Sequence, residues 1–159
     1  MRAAILTIST SKAADEGEDE SGVRLAAFAE SLGADIAGRD LIPDERVRIE
    51  ERLRHWADEE RCELVLTTGG TGFSPTDVTP EATRALIERE APGLAEAMRA
   101  ASHKHTPHWM LSRAVAGIRG ATLIVNLPGS PAGVEQAGAA IAAALPHAIA
   151  LLREQPTSH

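Results

Sequence analysis

Residues 67–80 read TTGGTGFSPTDVTP, and this stretch decides the fold. The apolar run Leu64-Val65-Leu66 before it predicts a buried strand, whereas residues 81–90 after it have the pattern of a helix. The chain therefore leaves a buried strand through a glycine-rich loop and enters a helix. Strand, loop and helix in that order are the repeating unit of α/β folds.

The glycine-rich loop favours an anion site. Its glycines accept positive φ and carry no Cβ, so backbone N–H groups can converge on a phosphate or a carboxylate. Thr68 and Thr71 can add hydroxyl donors. The alternative is a tight strand-to-helix turn in which glycine only relieves crowding, and the pattern GGTG alone does not separate the two interpretations.

The rest of the chain alternates between short apolar runs and longer helical patterns. Strands are predicted at 3–8, within 34–42, at 64–67 and at 121–126. Helices are predicted over 25–32, 45–60 and 81–90, after Pro92-Gly93, and over 131–153 with a break at Pro146. Thr79 is the expected N-cap of the 81–90 helix, with Pro80 at its first position. This alternation predicts an α/β fold with a mostly parallel, doubly wound sheet, in a single domain spanning residues 1–159.

Composition and charge argue against several classes of partner. The chain has 159 residues, a net charge of −7 and 3% aromatic residues, with no tyrosine. Nucleic-acid binding uses base stacking and basic phosphate contacts, and neither is favoured here. The longest apolar region, 139–152, is broken by Pro146 and is shorter than the ~20 residues of a membrane span. Because Cys62 is the only cysteine, no intramolecular disulfide or cysteine-based metal cluster can form. We expect a soluble, cytoplasmic protein.

Two acidic residues, Asp44 and Asp77, follow predicted strands. In such a sheet, ligands bind beyond the carboxyl ends of the strands, near the point where strand order reverses. The loops expected at that edge are 9–22, 43–44, 69–77 and 127–131, so the fold can bring both carboxylates to one rim. Two carboxylates facing a phosphate loop predict Mg²⁺ held against substrate phosphates. The alternatives are that Asp44 is the N-cap of the next helix and that Asp77 closes an Asx-turn.

Other sequence signals are weaker. Neither G-x-x-x-x-G-K-[ST] nor G-x-G-x-x-G occurs, so a P-loop or a dinucleotide-binding Rossmann site is not supported. His103, His105 and His108 straddle a proline that prevents their alignment on one helix face, and they predict a polar loop rather than a metal site. The acidic run at 15–20 predicts a solvated loop, and Ser21-Gly22 is a candidate cap for the next helix.

Several separate motifs together resemble one family. TTGGTGFSPTDVTPEAT, with LIPDE before it and NLPGSPAGVEQ after it, closely resembles the MoaB/Mog family of molybdenum-cofactor biosynthesis proteins. EDESG at 18–22, EAPGLAEAMR at 90–99 and LSRAVAGIRG at 111–120 also match. The resemblance covers about residues 5–152, with the motifs in one order. It implies a compact three-layer α/β/α domain that binds molybdopterin.

The resemblance also implies a reaction. Active members of the family transfer AMP from Mg-ATP to the terminal phosphate of molybdopterin and release pyrophosphate, so we expect a molybdopterin adenylyltransferase. ATP and molybdopterin are the implied substrates and Mg²⁺ the implied cofactor. The family further implies a homotrimer or hexamer and a transient contact with the molybdenum-insertion protein. The alternative is a non-catalytic molybdopterin-binding or carrier protein of the same fold.

The implied site residues follow from the matching motifs. Asp44 and Asp77 match the acidic residues that the family assigns to Mg²⁺ and catalysis. Two loops are implied to contact the pterin and its phosphate: Thr68, Gly69, Gly70, Thr71, Gly72 and Ser74, then Pro128, Gly129 and Ser130. The first loop departs from the family pattern, because it reads Ser9-Thr10-Ser11 where many relatives have Ser-Asp. Lys12 and Arg113 are candidates to approach the triphosphate, although a solvated surface position is the alternative for the lysine.

Overall fold

A six-stranded sheet organises the computed structural model, which describes residues 1–15 and 17–154. Its strands are β1 (Arg2–Ile8), β2 (Asp35–Ile42), β3 (Leu64–Thr68), β4 (Arg89–Glu90), β5 (Ala116–Arg119) and β6 (Thr122–Leu127). They lie in the order β2-β1-β3-β6-β5-β4. The first four in that order are parallel, whereas β5 and β4 add an antiparallel edge. The mostly parallel sheet predicted from the sequence is confirmed.

Seven α-helices flank this sheet within the described residues. They are α1 (Thr10–Asp15), α2 (Glu20–Ser31), α3 (Arg46–Arg54), α4 (Thr79–Leu86), α5 (Pro92–Ser102), α6 (Pro131–Ile141) and α7 (Leu145–Arg153). A π-helical turn, His55–Glu59, extends α3, and a short 3₁₀ helix covers Trp109–Leu111. No single helix of the described chain is long and apolar enough to cross a membrane; only α6 and α7 taken together, bent by 61°, would satisfy length and composition.

Two hydrophobic cores lie on opposite faces of the sheet. Neighbouring residues of β1 point to different cores, Ile5 to one and Leu6 to the other, because side chains alternate along a strand. The first core joins the sheet to α2, α5, α6 and α7, and the second joins it to α3 and α4. Strands β3 and β6 are buried at every residue. This explains their continuous apolar runs and gives the three layers α/β/α.

Several predicted boundaries were wrong for identifiable reasons. The predicted loop 9–22 contains α1 and the start of α2; Glu16 of its acidic run lies outside the described residues, as do residues 155–159 of the predicted domain. The predicted helix 81–90 stops at Leu86, because the chain turns extended and pairs Arg89 and Glu90 with β5. Strand β5 itself was not predicted.

Helix starts also differ from the predicted caps. Val78, not Thr79, is the N-cap of α4, so Pro80 occupies the second helical position. At α2, Asp19 accepts the N–H of Gly22 at 2.9 Å, and this carboxylate replaces the predicted Ser21-Gly22 cap. The predicted break at Pro146 comes slightly earlier, between α6 and α7. Pro146 itself lies in the first turn of α7, where a missing N–H costs nothing.

Cys62 lies between the π-helical turn and β3 and is 1% exposed. Its N–H donates to the Trp56 carbonyl at 2.9 Å, and its carbonyl accepts the Thr122 hydroxyl at 2.6 Å. Burial raises the pKa of the Cys62 thiol above its ordinary value. The thiol is therefore a packed, neutral side chain.

Glu63 fastens the end of α7 to the start of the sheet. Its carboxylate accepts the guanidinium of Arg153 and the backbone N–H of Arg2, the latter at 2.9 Å. These contacts, led by the hydrogen bond from Arg153, lower the pKa of Glu63 to about 2. A carboxylate with a depressed folded pKa contributes stability above its unfolded pKa of about 4.3.

We predict that Glu63→Gln lowers the melting temperature by a few degrees at pH 7, because a neutral amide loses the ion pair. The difference from wild type should shrink as the pH falls from about 4.5 towards 2, where the native carboxylate is itself protonated. Thermal melts across this range test the prediction. Glu20→Gln is the control, since its pair with Arg24 is solvent-exposed on α2 and screened. A loss that does not change with pH would contradict the assignment.

Candidate functional site

A cavity of about 240 Å³ opens at the carboxyl ends of the parallel strands. It lies where β1 is flanked by β2 on one side and β3 on the other, the point at which strand order reverses. Its lining residues come from the ends of β1 and β3, from α1 and the start of α2, and from the loops beyond β1, β2, β3 and β6. They are Thr7, Ile8, Ser9, Lys12, Ser21, Asp44, Thr68, Gly69, Gly70, Asp77 and Gly129.

The turn after β3 requires glycine at two consecutive positions. Gly69 has φ +99° and Gly70 has φ +67°. A Cβ at Gly69 would lie 2.2 Å from the Ile8 carbonyl oxygen, and one at Gly70 would lie 2.4 Å from Thr79 Oγ1. Both backbone conformation and space therefore exclude larger residues.

Hydrogen bonds from neighbouring segments hold this turn. The Thr79 hydroxyl donates to the Gly69 carbonyl at 2.9 Å, and the Thr79 N–H donates to the Gly70 carbonyl at 3.1 Å. The N–H of Gly69 donates to the Leu127 carbonyl at 3.3 Å. The Thr68 hydroxyl, predicted as an anion donor, donates to the Pro128 carbonyl at 2.6 Å. These last two donors join the glycine turn to the loop after β6.

Asp44 is fixed by the first turn of α1. One carboxylate oxygen, Oδ2, accepts both the N–H of Thr10 at 3.0 Å and its hydroxyl at 2.9 Å. The Asp44 N–H donates back to Thr10 Oγ1 at 3.0 Å. The N-cap interpretation of Asp44 was wrong, because Glu45 occupies that position and makes no side-chain cap bond. The other oxygen, Oδ1, lies beside Gly70, 2.9 Å from where a Cβ would stand.

Asp77 closes a local turn and also lines the cavity. Its Oδ2 accepts the N–H of Ser74 at 3.1 Å, and its own N–H donates to the Ser74 carbonyl at 2.9 Å. The predicted Asx-turn of Asp77 was wrong, because the side chain accepts an N–H three residues before it; the turn that Asp77 closes runs from Ser74 to Asp77. Asp77 is nevertheless among the residues that line the cavity.

The two candidate cations have different surroundings. Lys12 is half-buried on α1 and, within residues 1–15 and 17–154, is the one positively charged residue among those that line the cavity. Arg113 does not line it. Its guanidinium is bound by Glu81, by the Gly72 carbonyl at 2.8 Å and by the Asp77 carbonyl at 2.9 Å. The suggestion that Arg113 approaches a triphosphate is therefore not supported by its contacts.

Five of the predicted binding residues are not among those that line the cavity. These are Thr71, Gly72, Ser74, Pro128 and Ser130. Ser130 is the N-cap of α6, where its hydroxyl oxygen accepts the N–H of Gly133 at 3.0 Å. Ser74 is exposed, whereas Thr71 is 7% exposed.

Sequence reasoning missed three hydroxyl-bearing residues on the cavity wall, Thr7, Ser9 and Ser21. The Thr7 hydroxyl donates to Asp19 Oδ2 at 2.7 Å, and the Ser21 hydroxyl donates to the Gly129 carbonyl at 2.7 Å. The position of Thr7 at the end of the first apolar run was a usable signal. Nothing in the sequence pairs Ser21 with a residue 108 positions away.

The donor set suits a hard cation shared with a ligand. Nowhere in residues 1–15 and 17–154 do three or more His, Cys, Asp or Glu side chains form a metal-binding group. The predicted histidine trio lies at the end of α5 and in the following turns, with the His103 ring edge-on to Trp109 at 5.1 Å. The cavity instead offers two carboxylates, Asp44 and Asp77. Mg²⁺ favours one or two carboxylates completed by phosphate oxygens and water.

A family model described as "Probable molybdopterin binding domain" matches residues 4–147. The chain belongs to this family. A MoaB structure from Thermus thermophilus, named as a molybdopterin biosynthesis enzyme, superposes with a TM-score of 0.90 at 45% identity and covers 99% of both chains. This member of the molybdopterin-binding domain family is thus similar to the MoaB/Mog proteins over its whole fold.

Curated relatives share the family but not always the length. The molybdenum cofactor synthesis protein cinnamon of Drosophila melanogaster is 44% identical over 93% of this chain, which spans 25% of that protein. A molybdopterin adenylyltransferase of Haemophilus influenzae is 41% identical over 86% of this chain and 70% of its own length. The chain therefore corresponds to one quarter of the first relative and to most of the second.

We predict that Gly70→Ala costs more stability than Gly120→Ala. Both glycines have positive φ, at +67° and +55°, but a Cβ at Gly120 meets nothing within 4 Å. Gly120→Ala should therefore lose about 1 kcal/mol from backbone strain alone, and Gly70→Ala a further 1–3 kcal/mol or so from crowding Thr79 and Asp44. Urea unfolding measures both losses. Equal losses would show that the cavity wall accommodates a methyl group.

Proposed function

We propose that this protein transfers AMP from ATP to the terminal phosphate of molybdopterin and releases pyrophosphate. One observation carries the proposal: Asp44 and Asp77, from two separate loops, line the same cavity as the glycine turn. Such a cavity offers carboxylates for a cation, together with a close approach to backbone for a phosphate. Membership of the molybdopterin-binding family and the identity to an adenylyltransferase support the choice of substrates.

The reaction does not need a strong acid or base from the protein. A phosphate oxygen of molybdopterin is already an anionic nucleophile; it forms a bond to the α-phosphorus of ATP while the bond from that phosphorus to the α,β-bridging oxygen breaks. Pyrophosphate leaves with the electron pair. The difficulty is to bring two polyanions together and to stabilise the charge on the leaving group. Orientation and positive charge are what the site must supply.

Asp44 and Asp77 are the residues that would hold Mg²⁺ with the substrate phosphates. When bound, Mg²⁺ neutralises charge on the phosphates that surround it. The protein's own part is to keep both carboxylates in place before substrate arrives. Thr10 binds one oxygen of Asp44, and the N–H of Ser74 binds one oxygen of Asp77. Preorganised groups of this kind avoid reorganisation during the reaction.

We assign the other walls of the cavity to the phosphates. Gly69, Gly70 and Gly129 present backbone without side chains, so a phosphate can approach closely there. Lys12 adds the positive charge needed near the triphosphate. Thr71, Gly72, Ser74, Pro128 and Ser130 then belong to the surrounding loops, with the pterin ring as their proposed ligand.

We predict that Asp77→Asn lowers turnover roughly 100-fold or more while the fold is retained, because it removes charge at nearly constant volume. The measurement is formation of adenylylated molybdopterin from purified protein, molybdopterin and Mg-ATP, alongside a thermal melt. Asp35→Asn serves as the control, since Asp35 is exposed at the amino end of β2, whereas the cavity lies at the carboxyl ends of the strands. Unchanged turnover in Asp77→Asn would refute the catalytic assignment. Binding of molybdopterin by wild type without any product would favour the carrier alternative.

We also propose a homotrimer or hexamer and a transient contact with the molybdenum-insertion protein, both from family membership, and a cytoplasmic location from the sequence pattern. The exposed face of α6 supports self-association, because it carries the small side chains Ala139 and Ala140 beside shallow grooves. Sedimentation equilibrium at micromolar concentration should give a mass of three or six chains. A monomer would contradict the assembly and leave the reaction unaffected, because the proposed site lies within one chain.

A further inference from the structure

Arg113 binds both ends of the loop that carries Asp77. Its Nε donates to the Gly72 carbonyl at 2.8 Å, and its Nη2 donates to the Asp77 carbonyl at 2.9 Å. The backbone N–H of Arg113 donates to the Thr71 carbonyl at 2.8 Å. One residue, 36 positions from Asp77, thus holds the backbone of the loop where it begins and where it ends.

The loop is closed tightly between these two points. The carboxylate of Asp77 lies against Gly72, so that a Cβ on Gly72 would be 2.9 Å from Asp77 Oδ2. The tip between them, residues 73–76, is exposed, and the Phe73 side chain is 67% exposed. The described contacts of the tip are local, between Ser74, Thr76 and Asp77. The position of the Asp77 carboxylate therefore depends on the base of the loop.

Glu81 completes the arrangement from the first turn of α4. Its two carboxylate oxygens accept Nη1 of Arg113 at 2.6 and 3.1 Å. All three guanidinium nitrogens are therefore occupied, and the charge of Arg113 is balanced by Glu81 rather than directed at the cavity. A planar guanidinium with its donors in a fixed fork suits three acceptors on different segments, whereas a lysine ammonium does not.

We propose that Arg113 is a positioning residue for the adenylyl transfer: it sets the place of Asp77 in the cavity, and Glu81 sets the place of Arg113. The proposal rests on the function proposed above, because it assigns Arg113 to the same site. Arg113 acts by fixing the position of Asp77 and does not itself touch substrate. The consequence is a loss of turnover that exceeds any loss of stability.

The chain supplies a matched control at the other end of α4. Arg119 also uses all three guanidinium nitrogens: Nε and Nη2 donate to Asp58 at 2.9 and 2.7 Å, and Nη1 donates to the carbonyl of Leu86 at 2.9 Å. The side chains of Arg113 and Arg119 are similarly exposed, at 33% and 25%. Arg119 lies outside the residues that line the cavity. Replacing either arginine therefore removes a comparable set of guanidinium hydrogen bonds.

The experiment compares Arg113→Lys with Arg119→Lys and Glu81→Gln with Asp58→Asn. For each variant we would measure kcat, the KM for ATP, the Mg²⁺ concentration for half-maximal rate and the melting temperature. Arg113→Lys should lower kcat about 10- to 100-fold and raise the Mg²⁺ requirement, since misplacing a reacting group by about 1 Å has effects of that size. Glu81→Gln, the milder change, should give a smaller loss in the same direction. Arg119→Lys and Asp58→Asn should lower the melting temperature similarly and leave kcat within about threefold of wild type.

A second measurement does not depend on turnover. Hydrogen exchange of the backbone amides at 71–77 should be faster in Arg113→Lys than in wild type and unchanged in Arg119→Lys. If wild type forms no adenylylated product but exchange responds in this way, the proposed function fails, whereas the placement of the Asp77 loop by Arg113 stands. Exchange equal to wild type in Arg113→Lys, or losses of kcat that match those of the Arg119 and Asp58 variants, would overturn the proposal.

Discussion

The way in which the chain leaves β3 constrains everything around the cavity. Gly69 and Gly70 both adopt positive φ, and neither position has room for a Cβ. The resulting turn brings backbone against Ile8 of β1 and against Thr79 at the start of α4. The N–H of Gly69 also donates to Leu127 of β6. Because this short turn contacts β1, β6 and α4, it fixes the walls of the cavity relative to one another. A turn that could adopt several conformations would not hold the carboxylates of Asp44 and Asp77 in fixed positions relative to each other.

Each of the two acidic residues combines a structural role with a place on the cavity wall. Asp77 closes a turn with Ser74, and Asp44 holds the start of α1 through Thr10. In each case the hydrogen bonds engage one carboxylate oxygen, and the residue still lines the cavity. The donors to both carboxylates are neutral groups, which leave their electrostatic attraction for a cation in place, whereas an ion pair with Arg113 would oppose it. The nearby guanidinium is instead neutralised by Glu81.

Much of this fold follows from local sequence, and the exceptions have physical causes. The strands β1, β3 and β6 and the faces of the long helices were predictable because burial on two faces leaves a continuous apolar run and burial on one face leaves a helical period. Helix α1 was not, because it has no buried residue and is tied to the fold through Asp44. Strand β4 has two residues, which is too short to show the alternation of apolar and polar residues that predicts a strand. The side-chain contacts of Arg113 join residues 32 to 41 positions apart, and no local signal encodes them.

The single buried cysteine gives the molecule an internal reporter. Cys62 is part of the second core, and burial disfavours its thiolate, the form that reacts with alkylating reagents. Its modification therefore requires the sheet and the π-helical turn to separate. Thiol-labelling kinetics on the native sequence would report the opening of the domain directly, without an introduced probe and without a label near the carboxyl edge of the sheet.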